Sequence, residues 1–257
     1  MRSFWMVTDG AGGSRLESLP LPFVHVGATM TDADRARTPD PSLAGQVRVV
    51  RPIRRRDGET TLGRDGATRR LVVIVAGSLA VVAGESNAML VPGDVLFVDD
   101  AASGDHKLTW AGEARAVEID VEDGWLPTGS VPPAVEDGGR GPGDAPRVDR
   151  IRVRDDKAHF DPFDTFFPAG SEQVDRFTFT CFSPGLSGDW HTEDRPNLVL
   201  VFAGGFELEV GGTGGARVFG PGDVCLIEDG HGQGHQTRIK GETRILVLAL
   251  PDGHRWS

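Results

Sequence analysis

Apolar residues in this chain come in short runs separated by turn-forming residues. Leu71–Ala76 and Leu198–Ala203 are uninterrupted, and Gly, Pro, Asp or Asn close most such runs. No stretch of a dozen residues carries a helical stripe free of Gly and Pro, so the spacing predicts strands. In the second half the strands fall near 148–153, 176–182, 188–193, 197–203, 206–210, 216–219, 223–227, 235–240 and 243–249. The first half predicts strands near 46–53, 69–75, 79–83, 88–91, 94–98, 106–110 and 113–121. Strands this short and this closely spaced predict an all-β fold, a sandwich or a barrel.

The pattern also repeats. Val91-Pro-Gly-Asp-Val-Leu-Phe-Val-Asp-Asp100 returns as Gly220-Pro-Gly-Asp-Val-Cys-Leu-Ile-Glu-Asp229. Asp94 precedes His106 by the same interval that separates Asp223 from His235. Upstream, Leu71–Gly77 matches Leu198–Gly204, and Ser14-Arg-Leu-Glu17 loosely matches Ala158-His-Phe-Asp161. A shared spacing over so much chain marks one structural unit present twice. It divides the protein into 1–125, a Gly/Pro-rich linker over 126–147, and 148–257. Thr31–Gln46 reads as an insertion confined to the first unit.

With the repeat in view, the second unit resembles the cupin family. Gly185, His191, Glu193, Asn197 and Gly204 follow the spacing of its first motif, and the Pro-Gly-Asp turn with a late His resembles its second. The resemblance implies two jelly-roll (double-stranded β-helix) barrels in one chain, a bicupin. Glu193 stands where the family has its second His, and Asn197 where it has Glu. Counted strictly from Gly222, the second-motif His position falls on Gln233, with His235 two residues later; the parallel placement of His106 favours His235.

On a strand, His191 and Glu193 leave the same face, and the resemblance brings His235 beside them. Two imidazoles and a carboxylate suit one divalent transition metal, Fe, Mn, Ni or Zn, with positions left open for substrate. The expected metal ligands are therefore His191, Glu193 and His235. Glu193, His231 and Gln233 are the expected catalytic groups, and Arg244 is a candidate for holding a co-substrate carboxylate. Plainer readings stand beside these: Glu193 in an exposed turn paired with Arg195, His231 as a loop residue, Asn197 hydrogen-bonding across the barrel, His159 as structural. At the equivalent positions the first unit has Arg64, Gly66, Arg70 and His106. One imidazole beside two cations holds no catalytic metal, so that barrel is expected to be metal-free, its Arg residues solvated.

Composition narrows the function. The 257 residues include 35 Gly and 17 Pro, and the formal net charge is -11. Residues 1–146 carry 15 basic and 21 acidic side chains, and residues 147–257 carry 12 and 17. Neither half has a basic surplus, which argues against nucleic acid; Arg54-Arg-Arg56 lacks interleaved aromatics and reads as surface charge offset by Asp57 and Glu59. No apolar run reaches membrane-spanning length and no signal-peptide core is evident, so a cytoplasmic protein is expected, with Cys181 and Cys225 as packing residues. Ser183 and Ser187 lack a nucleophile-elbow frame, and the Gly211–Gly215 stretch carries no phosphate-binding Lys. These readings favour a metal-dependent small-molecule enzyme in the second barrel, an isomerase, cyclase or lyase acting on a carbonyl or enol. An iron oxygenase using the same site, or a non-catalytic binding bicupin, are the alternatives. The expected assembly is a monomer or homodimer.

Overall fold

A computed structural model describes residues 1–8, 13–27, 47–56, 58–59, 69–99, 106–121, 145–167, 170–212 and 215–252. The fold is all-β. The first half contains β1 (Ser3–Thr8), β2 (Ser14–Ser18), β3 (Val24–Val26), β4 (Val47–Arg55), β5 (Gly58–Glu59), β6 (Arg69–Ala83), β7 (Ser86–Leu90), β8 (Val95–Val98) and β9 (His106–Val121). The second half contains β10 (Val148–Arg154), β11 (Lys157–Pro162), β12 (Glu172–Gln173), β13 (Arg176–Phe182), β14 (Asn197–Ala203), β15 (Phe206–Val210), β16 (Ala216–Phe219), β17 (Val224–Glu228), β18 (His235–Ile239) and β19 (Thr243–Ala249), with a 3-10 turn at Asp164–Phe166. Among the described residues no helix is long and apolar enough to cross a membrane.

Most predicted strands are present, with three differences. The segments read as 69–75 and 79–83 form one strand, as do 106–110 and 113–121; β-bulges between Ile74 and Ser78 let the long strands bend without breaking. Strands β1, β2, β3 and β11 had no sequence counterpart, because each is short or mixed in polarity. Residues 188–193, read as a strand, are not one; within them only His191 makes an isolated bridge, to His235. The linker and the Thr31–Gln46 insertion lie largely or wholly outside the described residues.

Among the described residues the strands form sheets of nine, seven and three. Each half places its opening strand parallel to the strand after its Pro-Gly-Asp turn, β1 on β8 and β10 on β17. The halves also trade strands. β3, from the first half, pairs in parallel with β13 at the edge of the seven-stranded sheet. β12, from the second half, pairs with β4 at the edge of the nine-stranded sheet.

Alternation along the strands divides the interior into three layers. On β6, Leu71, Val73 and Val75 face a central cluster, while Val72 and Ile74 face a cluster within the first half. On β14, Leu198, Leu200 and Phe202 join the central cluster, and Val199 and Val201 face a cluster within the second half. The uninterrupted apolar runs are thus strands covered on both faces. The central layer also holds Phe97, Phe177 and Phe179 and binds the two halves into one body.

Its edge is fixed by the two Pro-Gly-Asp turns, which meet reciprocally. Gly93 has φ +86°, and a Cβ there would lie 2.3 Å from the Phe202 carbonyl oxygen. Gly222 has φ +82°, and its Cβ would lie 2.5 Å from the Val75 carbonyl oxygen. The aspartates that follow are almost fully buried, and each caps its own turn: Asp94 accepts the N–H of Val91 (3.1 Å) and Asp223 that of Gly220 (2.8 Å). They also receive the chain entering the first strand of each half, from Arg2 N–H at 2.6 Å and Arg147 N–H at 2.5 Å. Burying these carboxylates is tolerable because their lone pairs are met by backbone donors.

Gly222→Ala is expected to destabilise the protein by about 2–4 kcal/mol, since it forces a Cβ into the other half and a left-handed φ on alanine. A urea midpoint within experimental error of the wild type would contradict that. Residues 148–257 produced alone expose one side of the central layer, and no cooperative unfolding transition is expected from them by circular dichroism.

Candidate metal centre

A cavity of about 280 Å³ lies between the seven-stranded and three-stranded sheets. This lies near the lower end of small-molecule sites. One wall runs across the sheet from Ile227 on β17 through β14, β19 and β13 to Val24 and Val26 on β3. Phe206, Leu208, Thr237 and Ile239 form the opposite wall. His191, Glu193, Asn197 and His235 stand together on the cavity lining.

His191, Glu193 and His235 each offer a ligand atom, and these atoms lie within 4.8 Å of one another. The convergence does not come from a strand carrying His191 and Glu193. Instead His191 and His235 form an antiparallel bridge, with N–H···O bonds of 3.0 and 2.9 Å, which sets their rings 4.4 Å apart. Gly234, at φ +71°, makes that bridge possible; a Cβ there would sit 1.8 Å from the His191 carbonyl oxygen. The Glu193 N–H donates to Asp229 Oδ1 (3.3 Å), turning the chain so that its side chain also faces inward.

The hydrogen bonds around the three side chains decide which atoms remain to bind an ion. His191 Nδ1 lies 2.8 Å from the Asp189 carbonyl oxygen, which only accepts, so Nδ1 carries the proton and Nε2 keeps its lone pair. His235 Nδ1 lies 2.6 Å from Asp229 Oδ2 in a pair with almost no exposed surface, so Nε2 is the ring nitrogen left to bind an ion. Asn197 Nδ2 donates to Glu193 Oε2 at 2.8 Å, and Glu193 Oε1 faces His191 Nε2 at 4.0 Å. Two lone pairs and one carboxylate oxygen thus converge, each fixed from behind, the arrangement by which outer hydrogen bonds hold metal-binding side chains. The donor set fits a divalent transition metal. Burial pushes the Glu193 carboxyl above its usual range, opposed by His235 and His191. A cation would relieve that penalty.

The other expected site residues are elsewhere. His231 and Gln233 are exposed and line no part of the cavity; Gln233 packs over Gly211, in the hairpin between β15 and β16. Glu193 is not paired with Arg195, whose partner at 3.2 Å is Asp175. Arg244 is buried away from the cavity, bonded to Glu242 at 2.6 Å and lying under the Phe23 ring at 5.7 Å. It therefore cannot hold a co-substrate carboxylate there. Asp229 is the residue that sequence reasoning missed; its place at the end of the repeated Pro-Gly-Asp segment, six residues before His235, was the available signal. Cys181 and Cys225 are buried and unbonded, and burial raises both thiols above their ordinary range.

In the first half the position equivalent to Asn197 is ionic, on a face that is otherwise apolar. Arg70, at the Asn197 position, is 4% exposed rather than solvated. It faces Glu118 at 3.4 Å and Asp120 at 3.9 Å, and Arg51 reaches Asp120 at 2.5 Å. Burial raises the Glu118 carboxyl, with Arg70, Arg55 and Arg51 opposing. Arg64 and Gly66 lie outside the described residues. Arg54 is exposed as expected, and pairs with Glu113 at 2.9 Å.

No family model matches the chain, and no curated protein does. Solved structures do. The chain is similar to a cupin 2 conserved barrel domain protein from Leptotrichia buccalis, at 15% identity over 80% of this chain and 85% of that one, with a TM-score of 0.40. It is also similar to a putative glyoxylate-induced protein from Pseudomonas aeruginosa (13% identity, 82% and 77% covered, TM-score 0.35). A third is the bacterial pirin YhhW of Escherichia coli, solved in complex with nickel(II) (10% identity, 81% and 78% covered, TM-score 0.30).

Asp229→Asn is expected to weaken metal binding about 10–100-fold, by loosening His235 and its tautomer while leaving all three ligands in place. Competition against a chromogenic chelator measures this; an unchanged dissociation constant would remove Asp229 from the site.

Proposed function

We propose that the chain is a bicupin whose second barrel is a metal-dependent small-molecule enzyme acting on a carbonyl- or enol-bearing substrate. The observation that carries this reading is the convergence of His191 Nε2, Glu193 Oε1 and His235 Nε2 on an apolar cavity, with each side chain's other polar atom already engaged. A divalent ion held there supplies Lewis acidity to a substrate oxygen. The residues of the chain do the rest. Asp229 keeps His235 in its ligating tautomer, and Asn197 holds Glu193 so that Oε1 faces the two imidazoles. The apolar walls exclude water and strengthen electrostatic interactions within the cavity.

With His231 and Gln233 outside, the titratable residues lining the cavity, among the described residues, are the three ligands themselves. A proton leaving the substrate therefore has no protein acceptor apart from the ligands and passes to water at the mouth of the cavity. His191, with its side chain 46% exposed, stands where the cavity meets solvent. This is proton-transfer chemistry of the isomerase, cyclase or lyase type. The first barrel, where the Arg70 ion pairs stand at the Asn197 position, is given no part in it.

Protein purified without chelator is expected to contain nearly one equivalent of transition metal per chain, and a His191→Ala, His235→Ala double variant almost none, by atomic emission. Equal and negligible metal in both would overturn the reading. Oxygen uptake with a turned-over substrate would replace the isomerase-type reaction with oxygenation.

A further inference from the structure

The cavity's far wall is supplied by the other half of the protein. Val24 and Val26 line it from β3, paired in register with Thr180 and Phe182 of β13, which line it too. Strand β3 is three strands from β14, where Asn197 orients Glu193, a separation of ~14 Å at the usual spacing. Next to the lining valines, Phe23 packs edge-on against Phe179 and Phe202 of the central layer, at 5.6 and 6.4 Å. The wall is thereby anchored to the interface between the halves.

Charge is confined to one end. Among the described residues the cavity lining includes no Lys or Arg, and its charged or ionisable members are the triad alone. Away from the triad the lining is Val, Leu, Ile and Phe, interrupted by Thr180 and Thr237. A divalent ion with two neutral imidazoles and one carboxylate keeps a single positive charge, which one anionic oxygen-chelating group neutralises. A second anionic group further in would be buried without a partner, at high cost.

We infer that the ligand is a small monoanionic oxygen chelator with an uncharged apolar tail, and that Val24 and Val26 of the first half set the size of tail accepted. This rests on the proposed metal site and adds what lies beyond it. β3 is then a specificity element, and the first half, which supplies none of the three candidate ligands, takes part in choosing the ligand.

Three probes share one β-diketone head: acetylacetone has no tail, benzoylacetone an apolar ring, and succinylacetone a carboxylate-ended chain. Their binding to manganese(II)-loaded protein is measured by calorimetry, with manganese content determined on the same samples. Benzoylacetone is expected to bind at least about tenfold tighter than acetylacetone, from the apolar surface it buries, and succinylacetone no tighter than acetylacetone. Val24→Phe, which fills the far end, is expected to remove the benzoylacetone advantage while acetylacetone affinity and metal content stay unchanged. Val24→Ala, the milder change, is expected to weaken benzoylacetone several-fold through lost contact. Equal binding of all three probes, or tightest binding of succinylacetone, overturns the apolar tail. Benzoylacetone binding that neither Val24 variant alters overturns the role of β3. Wild-type protein that takes up no manganese overturns the metal reading instead, and the metal content tells that failure from the other two.

Discussion

The apolar layer between the two large sheets is the interaction on which everything else depends. A sheet with one apolar face can leave the other wet, but β6, β14, β17 and β19 have apolar side chains on both. Such strands must be covered twice, once by their own half and once by the other. The halves are therefore not independent bodies on a tether. They share one core, trade edge strands, and touch backbone to backbone at Gly93 and Gly222, where any side chain would hold them apart.

That shared layer frees the other face of the seven-stranded sheet to build a cavity. Because β14, β17 and β19 are already held from behind, their forward-facing residues need not pack solid. The three-stranded sheet closes over them, and the Asp229–His235 pair and the His191 bridge close one end. The first half has the same central face but a different forward one. Where Asn197 donates to a carboxylate beside a cavity, Arg70 is buried between two carboxylates. A related framework thus carries a cavity in one half and an ion cluster in the other, through a few residues on one face of each sheet.

Much of this was legible in the sequence. The duplicated Pro-Gly-Asp segments and apolar runs predicted strands and their repetition, because period-two burial and turn chemistry are local properties. His191, Glu193 and His235 were legible as a group through motif spacing, although the strand supposed to carry two of them is an irregular segment held by one bridge. His231 and Gln233 were misplaced because sequence distance from His235 does not say which side of a tight turn faces the cavity. Arg70 looked solvated because nothing local reveals that Glu118 and Asp120, far along the chain, come to face it. Strands β1, β2, β3 and β11 went unread because a short strand of mixed polarity is stabilised by its neighbours rather than by its own pattern.

The sequence by itself determined the strand-rich character, the duplication, the asymmetry of metal-type residues between the halves and the identity of the three candidate ligands. The first follows from periodicity, the second and third from comparing the two segments, and the last from the resemblance to the cupin motifs. Only the tertiary structure decided that Asp229 and Asn197 leave the ligating atoms facing one another, that Arg244 is buried away from the cavity, and that Val24 and Val26 close it. Those outcomes depend on which strands become neighbours, and that is settled by the need to bury both faces of the central strands at once. No single segment contains that requirement.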